Sequence, residues 1–251
     1  MISDLYIRGI RLEKEIPKSS YLSKLPMVVN LRKMDELKLN SKVTFLVGEN
    51  GIGKSTLIEA IAVGVGFNPE GGSRNFAFST EDSHSELFNY LTICKGIKKA
   101  RDGFFLRAES FYNVASNIDQ MDRDPDNKMG PSIVSSYGGI SLHKQSHGES
   151  FLSLVEKRFG GNGLYILDEP EAALSPARLL RLMCNIHDLV EKDSQFIIAT
   201  HSPILMAYPG AEVFLISEDG IDAVNYKDTE HYMITKRFLG APEKMCEELF
   251  G

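Results

Sequence analysis

The sequence has little of what secreted, membrane-spanning or repeat proteins require. Its three cysteines, Cys94, Cys184 and Cys246, are odd in number, scattered and without the spacing of metal ligands. They therefore predict reduced thiols in a cytoplasmic chain. The N-terminal segment lacks the basic-then-apolar pattern of a secretion signal. No apolar run approaches the roughly 20 residues of a membrane span, and no repeat or low-complexity tract is present. We expect no membrane insertion.

An excess of positive charge is also missing. The 251-residue chain has a formal net charge of −6 at pH 7 and a pI of about 5.6. Bulk electrostatics therefore give no case for nucleic-acid binding, although a local basic patch can sit on an acidic protein. With 43% hydrophobic and 25% charged residues, the chain can bury a full core, and its length predicts one large α/β domain.

The most specific motif is a glycine-rich run between an apolar strand and a helix. Residues 43–47 are apolar and β-branched, residues 48–56 match G-x-x-x-x-G-K-[ST], and residues 57–62 suit a helix. In that context, backbone N–H groups and the positive end of the helix close around phosphate oxygens. Lys54 can reach the β- and γ-phosphates of ATP, and the Ser55 hydroxyl can ligate Mg²⁺. The predicted nucleotide-binding residues of this P-loop are Gly48, Glu49, Asn50, Gly51, Ile52, Gly53, Lys54, Ser55 and Thr56.

A second apolar strand ends in two carboxylates. Residues 164–167 are apolar and lead directly into Asp168 and Glu169. This is a Walker B arrangement, in which Asp168 would hold Mg²⁺ and Glu169 would polarise the attacking water. A strand that ends in Asp-Glu is a weak signal alone, but it becomes a strong one beside the P-loop.

These motifs belong to an ordered series that resembles the ATP-binding-cassette (ABC) ATPases. Residues 146–149 look like the signature motif of that family, and residues 173–175 look like its D-loop. His201, which follows the apolar strand at 196–200, looks like the switch histidine. The resemblance spans roughly residues 43 to 202, and it is specific as an ordered set.

The resemblance implies a mechanism shared between two copies of the chain. It gives catalytic roles to Lys54, Glu169 and His201, with ATP and Mg²⁺ as ligands. In the ABC family the signature motif closes over the nucleotide of a partner, so Ser146 and Gly148 would contact the ATP of a second subunit. The Ser146 hydroxyl can donate to a γ-phosphate oxygen, and the helix start presents N–H groups. An ATP-dependent head-to-tail homodimer around two ATP molecules is therefore implied.

The sequence departs from the family pattern at three places. The signature has His147 in place of the second-position glycine, and Glu149 where glutamine is usual. No glutamine occupies the Q-loop position; Glu109 stands there, where it could be a further Mg²⁺ ligand or equally a solvated acid. No aromatic motif marks an adenine site, and we expect Tyr21, which lies upstream of the P-loop, to be a packing residue.

Within the ABC class, the chain looks most like the non-transporter RecF/SMC-like branch, and there like the small stand-alone ATPases. The reasons are an N-terminal strand with arginines, the degenerate signature and the run from Thr200 to Pro203. The 92 residues from Lys54 to Ser146 are too few for an inserted long coiled coil. The leading hypothesis is a soluble ATPase switch that controls a nucleic-acid-related partner, such as a nuclease or DNA-associated protein, in DNA maintenance or defence.

Two other functions compete with this hypothesis. The alternative is the nucleotide-binding subunit of an ABC transporter, which the missing Q-loop glutamine and the non-standard signature disfavour. The third is a nucleotide sensor that does not hydrolyse ATP. The presence of Lys54, Asp168, Glu169 and His201 argues against a sensor.

Alternating strands and helices around a phosphate loop predict an α/β P-loop NTPase fold, with a mainly parallel central sheet flanked by helices. The resemblance adds an antiparallel β-subdomain and a helical signature lobe. The pattern also predicts a helix over 85–100, a helix over 176–192 and a hairpin around Asp219 and Gly220. We expect a single ABC-type domain over 1–251, composed of a core (1–112 and 160–227), a signature lobe (113–159) and C-terminal helices (228–251).

Overall fold

The computed structural model describes residues 4–73, 85–111, 116 and 147–251. The predicted signature residue Ser146 and most of the predicted signature lobe lie outside these residues. For His147, the backbone is described as part of a helix, but the side chain is not.

Nine strands form two sheets in the described part of the chain. In chain order they are β1 (Ile7–Leu12), β2 (Leu37–Lys38), β3 (Val43–Val47), β4 (Leu91–Lys95), β5 (Asp102–Arg107), β6 (Gly163–Asp168), β7 (Gln195–Ala199), β8 (Glu212–Ile216) and β9 (Ile221–Val224).

The larger sheet has the strand order β5-β6-β7-β3-β8-β9. Its first five strands are parallel, and β9 returns antiparallel to β8 through the predicted hairpin. Strands β3, β6 and β7 are buried along their whole length. This explains their continuous apolar runs, because a parallel sheet is covered on both faces. The predicted mainly parallel α/β fold is confirmed.

The smaller sheet, β2-β1-β4, is antiparallel, as the resemblance implied. One side chain joins it to the larger sheet. The Gln195 amide oxygen accepts from the backbone N–H groups of Tyr6 (2.8 Å) and Ile7 (2.9 Å), and its amide nitrogen donates to the Ile7 carbonyl (2.8 Å). A buried side chain from β7 thus forms hydrogen bonds with backbone groups at the start of β1. Without these bonds, burying the backbone groups would be costly.

Seven α-helices lie in the described part of the chain. They are α1 (Pro26–Lys33), α2 (Lys54–Gly64), α3 (His147–Arg158), α4 (Pro176–Glu191), α5 (Pro203–Met206), α6 (Glu230–Gly240) and α7 (Pro242–Phe250). Helix α4 agrees with the helix predicted over 176–192. Helices α6 and α7 are the two C-terminal helices, separated at Ala241. No helix in the described residues is long and apolar enough to cross a membrane.

The helix predicted over residues 85–100 is wrong. The structure has a short 3₁₀ turn at Glu86–Asn89 and then strand β4, which pairs with β1 over five positions. The lysines near Lys95 suggested a helix end, but β-branched Thr92 and Ile93 favour a strand. Pairing with β1, which lies far away in the sequence, decides the outcome.

Candidate functional site

The candidate site lies where the carboxyl ends of β3, β6 and β7 meet. The backbone N–H of Glu169, after β6, donates to Ala199 in β7 (3.0 Å), and that of Thr200, after β7, donates to Leu46 in β3 (3.2 Å). These bonds hold the residues after three adjacent strands in register. Three motifs that are far apart in the sequence therefore converge at one edge of the sheet, as ligand sites do in open α/β folds.

The P-loop joins β3 to α2 and is closed by its own lysine. The buried Lys54 ammonium donates to the carbonyl oxygens of Gly48 and Glu49, both at 2.8 Å. Gly48 is required where it stands, because a Cβ atom there would lie 2.3 Å from the Ile216 carbonyl oxygen. Burial lowers the pKa of Lys54, while nearby carboxylates, Glu169 first, counteract this effect. The P-loop thus keeps the Lys54 ammonium next to its own backbone carbonyl groups.

The structure brings together Ser55 and Asp168, the two residues for which the sequence predicted Mg²⁺ binding. The Ser55 hydroxyl donates to Oδ1 of Asp168 over 3.1 Å, so the first turn of α2 and the end of β6 present two oxygen atoms side by side. Burial raises the pKa of Asp168 from its ordinary value of 3.8 to about 6, against the opposing effect of Arg107.

Arg107, at the end of β5, is a site residue that the sequence analysis missed. Its guanidinium lies 2.8 Å from a Glu59 oxygen, 3.3 Å from Asp168 Oδ2 and 3.6 Å from Glu109. Glu109 itself is 80% exposed, so both of its predicted alternatives stay open. An arginine that ends a strand carries no motif; only the parallel pairing of β5 with β6 brings it to Asp168.

Glu169 and His201 also come together, with two further residues around them. Oε1 of Glu169 lies 3.5 Å from Nε2 of His201. The largely buried Glu171 accepts a hydrogen bond from the His201 backbone N–H, and burial raises its pKa. Nδ1 of His201 is 2.8 Å from Nε2 of His231, in α6. Neither Glu171 nor His231 was singled out from the sequence, since neither lies in a motif.

The start of α3 packs on the turn that follows Glu169. A Cβ atom on Gly148 would lie 2.8 Å from the Ala173 carbonyl oxygen and 2.5 Å from the Arg178 guanidinium, so only glycine fits. Glu149 pairs with Arg178 at 3.2 Å. The beginning of the predicted signature helix is thus fixed against the predicted D-loop.

Tyr21 does not pack as expected: its side chain is 60% exposed, on the 3₁₀ turn before α1. The burial that we expected for an aromatic side chain without a motif is therefore wrong here. Helix α1 itself contacts the P-loop, because the Met27 backbone N–H donates to the Ile52 carbonyl oxygen (3.2 Å).

Comparisons with known proteins agree with this geometry. Residues 30–120 match a family model described as "AAA domain", and residues 150–207 match one described as "AAA domain, putative AbiEii toxin, Type IV TA system". A solved ABC transporter assigned to the metal-chelate type, in an inward-facing conformation, superimposes with a TM-score of 0.50 at 13% identity, covering 92% of this chain and 88% of that one. A nucleotide-free ATP-binding cassette of an ABC transporter gives a TM-score of 0.50 at 17% identity, with 95% and 97% coverage. None of the curated protein sequences compared with the chain matches it.

The fold is that of the ABC ATPases. The two family models match different parts of the chain. One match contains the P-loop, and the other contains Asp168, Glu169 and His201. At these identities the solved structures show the fold alone. The chain is therefore similar to AAA- and ABC-type P-loop ATPases in sequence segments and to ABC ATPases in architecture.

The residues of this candidate site fit a magnesium nucleotide. No cluster of three or more His, Cys, Asp or Glu side chains among the described residues could hold a metal alone. Mg²⁺ does not need one, because it is usually bound by one or two protein oxygens together with phosphates and water. Ser55 Oγ and Asp168 Oδ1, at 3.1 Å from each other, are such a pair.

A cavity of about 540 Å³ adjoins the P-loop. Residues 48–52 line it on one side, the end of β8 and the turn after it on another, and Glu230 and His231 of α6 on a third. The ABC ATPase fold thus leaves room beside the loop for more than a phosphate group, and His231 borders both this cavity and the His201 ring.

The raised pKa of Asp168 predicts a pH-dependent effect of Asp168→Asn on the metal-free chain. Between about pH 4 and pH 6 the folded protein retains a proton that the unfolded chain has released, so the contribution of Asp168 to stability is lost as the pH rises through that window. The neutral amide avoids this loss. The free energy of unfolding of Asp168→Asn relative to the parent should therefore increase from pH 4 to pH 7, by up to about 3 kcal/mol.

Urea unfolding of both proteins across this range, with EDTA, measures the difference. Asp102→Asn is a matched control of opposite sign. Burial alone would raise the pKa of Asp102, but hydrogen bonds from Gly160, Arg158 and Tyr165 together lower it. The stabilisation from Asp102 is therefore present at neutral pH and lost in acid. A stability difference for Asp168→Asn that does not change with pH would contradict the prediction.

Proposed function

We propose that the chain binds ATP with Mg²⁺ and hydrolyses it, as a switch that dimerises head to tail. One observation carries the proposal: Ser55 beside Asp168, and Glu169 beside His201, meet at the ends of adjacent strands above a P-loop lysine. A purely structural polar contact would explain each of the two singly. It would not explain why two candidate metal ligands, a candidate base and a candidate hydrogen-bond donor to phosphate lie together at one edge of a sheet.

Each residue has a role that its position permits. The Lys54 ammonium exchanges its two loop carbonyls for β- and γ-phosphate oxygens. Ser55 and Asp168 would hold Mg²⁺, which would neutralise charge on the phosphates. Glu169 orients the attacking water and accepts its proton. His201 donates a hydrogen bond toward the γ-phosphate side of the site.

The position of α3 supports the proposed dimer. The start of this helix is fixed at Gly148 against the turn after Glu169, so a partner that binds at the start of α3 would lie close to that turn. Ser146, just before α3, would donate to the γ-phosphate of the partner's ATP. ATP then stabilises the closed dimer, and hydrolysis removes the group that both subunits contact.

The proposed output of the switch is control of a nucleic-acid-related partner in DNA maintenance or defence. The family model over residues 150–207, with its toxin–antitoxin description, supports this direction. The second candidate is the nucleotide-binding subunit of a transporter. It is favoured by the solved structures that share the fold, whose titles name ABC transporters.

We expect the purified chain to hydrolyse ATP slowly, and EDTA to abolish the activity. Ser146→Arg should retain ATP binding through its own Lys54, but it should neither dimerise nor hydrolyse ATP, because a bulky cation would block closure on the partner's nucleotide. Size-exclusion chromatography with ATP and Mg²⁺ and a phosphate-release assay measure both. If Ser146→Arg dimerises as readily as the parent, Ser146 does not contact a partner's phosphate.

The two candidate outputs can be separated by affinity capture with a hydrolysis-deficient Glu169→Gln chain, with and without ATP. ATP-dependent enrichment of a nuclease or DNA-associated protein is the expected result. ATP-dependent enrichment of a polytopic membrane protein would instead support the transporter function.

A further inference from the structure

We propose that His231 is a positioning residue that holds the His201 imidazole in its Nε2–H tautomer. This inference rests on the proposed function only for its catalytic consequence. The tautomer itself is a property of the nucleotide-free chain and can be measured there.

The two rings form a direct hydrogen bond. Nδ1 of His201 and Nε2 of His231 are 2.8 Å apart, and the ring centroids lie 4.9 Å apart at an interplanar angle of 51°. At this distance one nitrogen must donate and the other must accept. Burial, followed by the charge of Lys54, lowers the pKa of both histidines. Both rings are therefore neutral at neutral pH, and each has a single N–H.

The surroundings decide which nitrogen donates. Nε2 of His201 lies 3.5 Å from Oε1 of Glu169, and a carboxylate can only accept. A proton on Nε2 of His201 gives an attractive contact with the Glu169 carboxylate. Without that proton, the lone pair of Nε2 would face a lone pair of the carboxylate oxygen, which is repulsive. With the proton on Nε2, Nδ1 of His201 must accept, and His231 must donate from its own Nε2. The second histidine thus selects the tautomer of the first.

The selected tautomer leaves a donor ready for use. Beyond the 3.5 Å contact with Glu169, which is too long for a good hydrogen bond, Nε2 of His201 is buried without a hydrogen-bond partner among the described residues. An unpaired buried donor is costly, and such groups are frequent where a ligand completes the site. An N–H at this nitrogen can donate to a phosphate oxygen or to the attacking water, whereas the Nδ1–H tautomer cannot.

Both histidines are held from outside the pair. The Glu171 carboxylate accepts from the His201 backbone N–H. The fully buried Thr229 caps α6: its hydroxyl donates to the Tyr226 carbonyl oxygen (2.6 Å) and accepts from the Tyr232 backbone N–H (3.4 Å). This cap fixes the first turn of α6 and therefore the position of His231.

The test uses three variants of the full chain. His231→Leu removes the donor and keeps much of the volume. His231→Gln restores a donor, because the glutamine amide nitrogen can reach the position of Nε2 and cannot change tautomer. His187→Leu is the control. His187 also contacts the side chain of another aromatic residue, since its Nδ1 is 3.2 Å from the Tyr208 hydroxyl, but it is not part of the candidate site.

Long-range ¹H–¹⁵N NMR of the nucleotide-free proteins should show His201 as Nε2–H in the parent, in His231→Gln and in His187→Leu. In His231→Leu a mixture of tautomers is expected. In steady-state assays kcat should fall about 10-fold in His231→Leu, as expected for the loss of one hydrogen bond, while KM changes less than about twofold. His231→Gln should recover most of kcat.

Two results would overturn the inference: an Nδ1–H tautomer of His201 in the parent, or an unchanged tautomer in His231→Leu. A tautomer change without a change in kcat would overturn the positioning role. If the parent hydrolyses no ATP, the proposed function fails, but the NMR result still decides whether His231 sets the tautomer.

Discussion

Replacing Glu169 with glutamine is expected to lower ATP turnover by about 10²- to 10⁴-fold while leaving ATP binding intact. The amide has nearly the shape of the carboxylate, but it cannot accept a proton from water. Glu169 follows β6 directly and has a left-handed backbone (φ 48°), so its side chain is held at the catalytic edge rather than in the strand. The substitution removes the proposed base and leaves Lys54, Ser55 and Asp168 unchanged.

The same variant should accumulate as an ATP-bound dimer, because the two subunits no longer dissociate after ATP hydrolysis. Size-exclusion chromatography with ATP and Mg²⁺ should show a shift from monomer to dimer that the parent shows only transiently. Glu191→Gln, at the exposed last residue of α4, is the matched control and should behave like the parent. An unchanged elution volume at ATP concentrations on both sides of the nucleotide affinity would argue against the head-to-tail model.

The central part of the fold could be predicted because its signals are local. The apolar run of β3, the glycines after it and the helix that follows are adjacent in the sequence, so residues 43–64 predict their own structure. The same holds for β6 with Asp168 and Glu169. Parallel strands end at one edge of a sheet, and there the structure brings together Ser55 and Asp168, which the two motifs had named separately as Mg²⁺ ligands.

The parts that could not be predicted depend on partners that are distant in the sequence. Residues of β4 form a strand because they pair with β1, whereas the lysines at its end had suggested a helix. Arg107 reaches Asp168 only because β5 pairs with β6. His231 reaches His201 only because α6 follows the β8–β9 hairpin back to the edge of the sheet. In each case the residue type carries no motif, and the contact exists only in the folded chain.

His231 and Arg107 lie outside every motif, yet both contact residues of the candidate site. The motif residues supply charge and donors, whereas Arg107 contacts the Asp168 side chain, His231 contacts the His201 ring and Glu171 accepts from the His201 backbone N–H. Enzyme sites need such support, because a catalytic group that moves by about an ångström loses much of its effect. We therefore expect differences between this chain and the ABC ATPases that share its fold to lie at these supporting residues.

Replacing Lys54 with alanine is expected to weaken ATP binding by roughly 10- to 100-fold and to abolish measurable turnover. The lysine offers charge-assisted hydrogen bonds to phosphate oxygens, each worth about 1.5–3 kcal/mol. In the nucleotide-free chain it donates instead to Gly48 and Glu49, so alanine also frees two loop carbonyls. Urea unfolding should accompany the assay, to separate a loss of affinity from a loss of fold.

Isothermal titration with ATP and a phosphate-release assay measure the two effects of Lys54→Ala. Lys42→Ala is the control, because Lys42 also pairs with a carboxylate, Asp193 at 3.0 Å, but lies outside the site. Lys54→Arg separates charge from shape: it keeps the cation, but its planar fork does not fit a position built for a compact ammonium group. We expect it to bind ATP better than Lys54→Ala without restoring turnover. Wild-type ATPase activity in a folded Lys54→Ala chain would show that residues 48–56 are not the phosphate-binding loop, because no other described cation takes the same place at the start of α2.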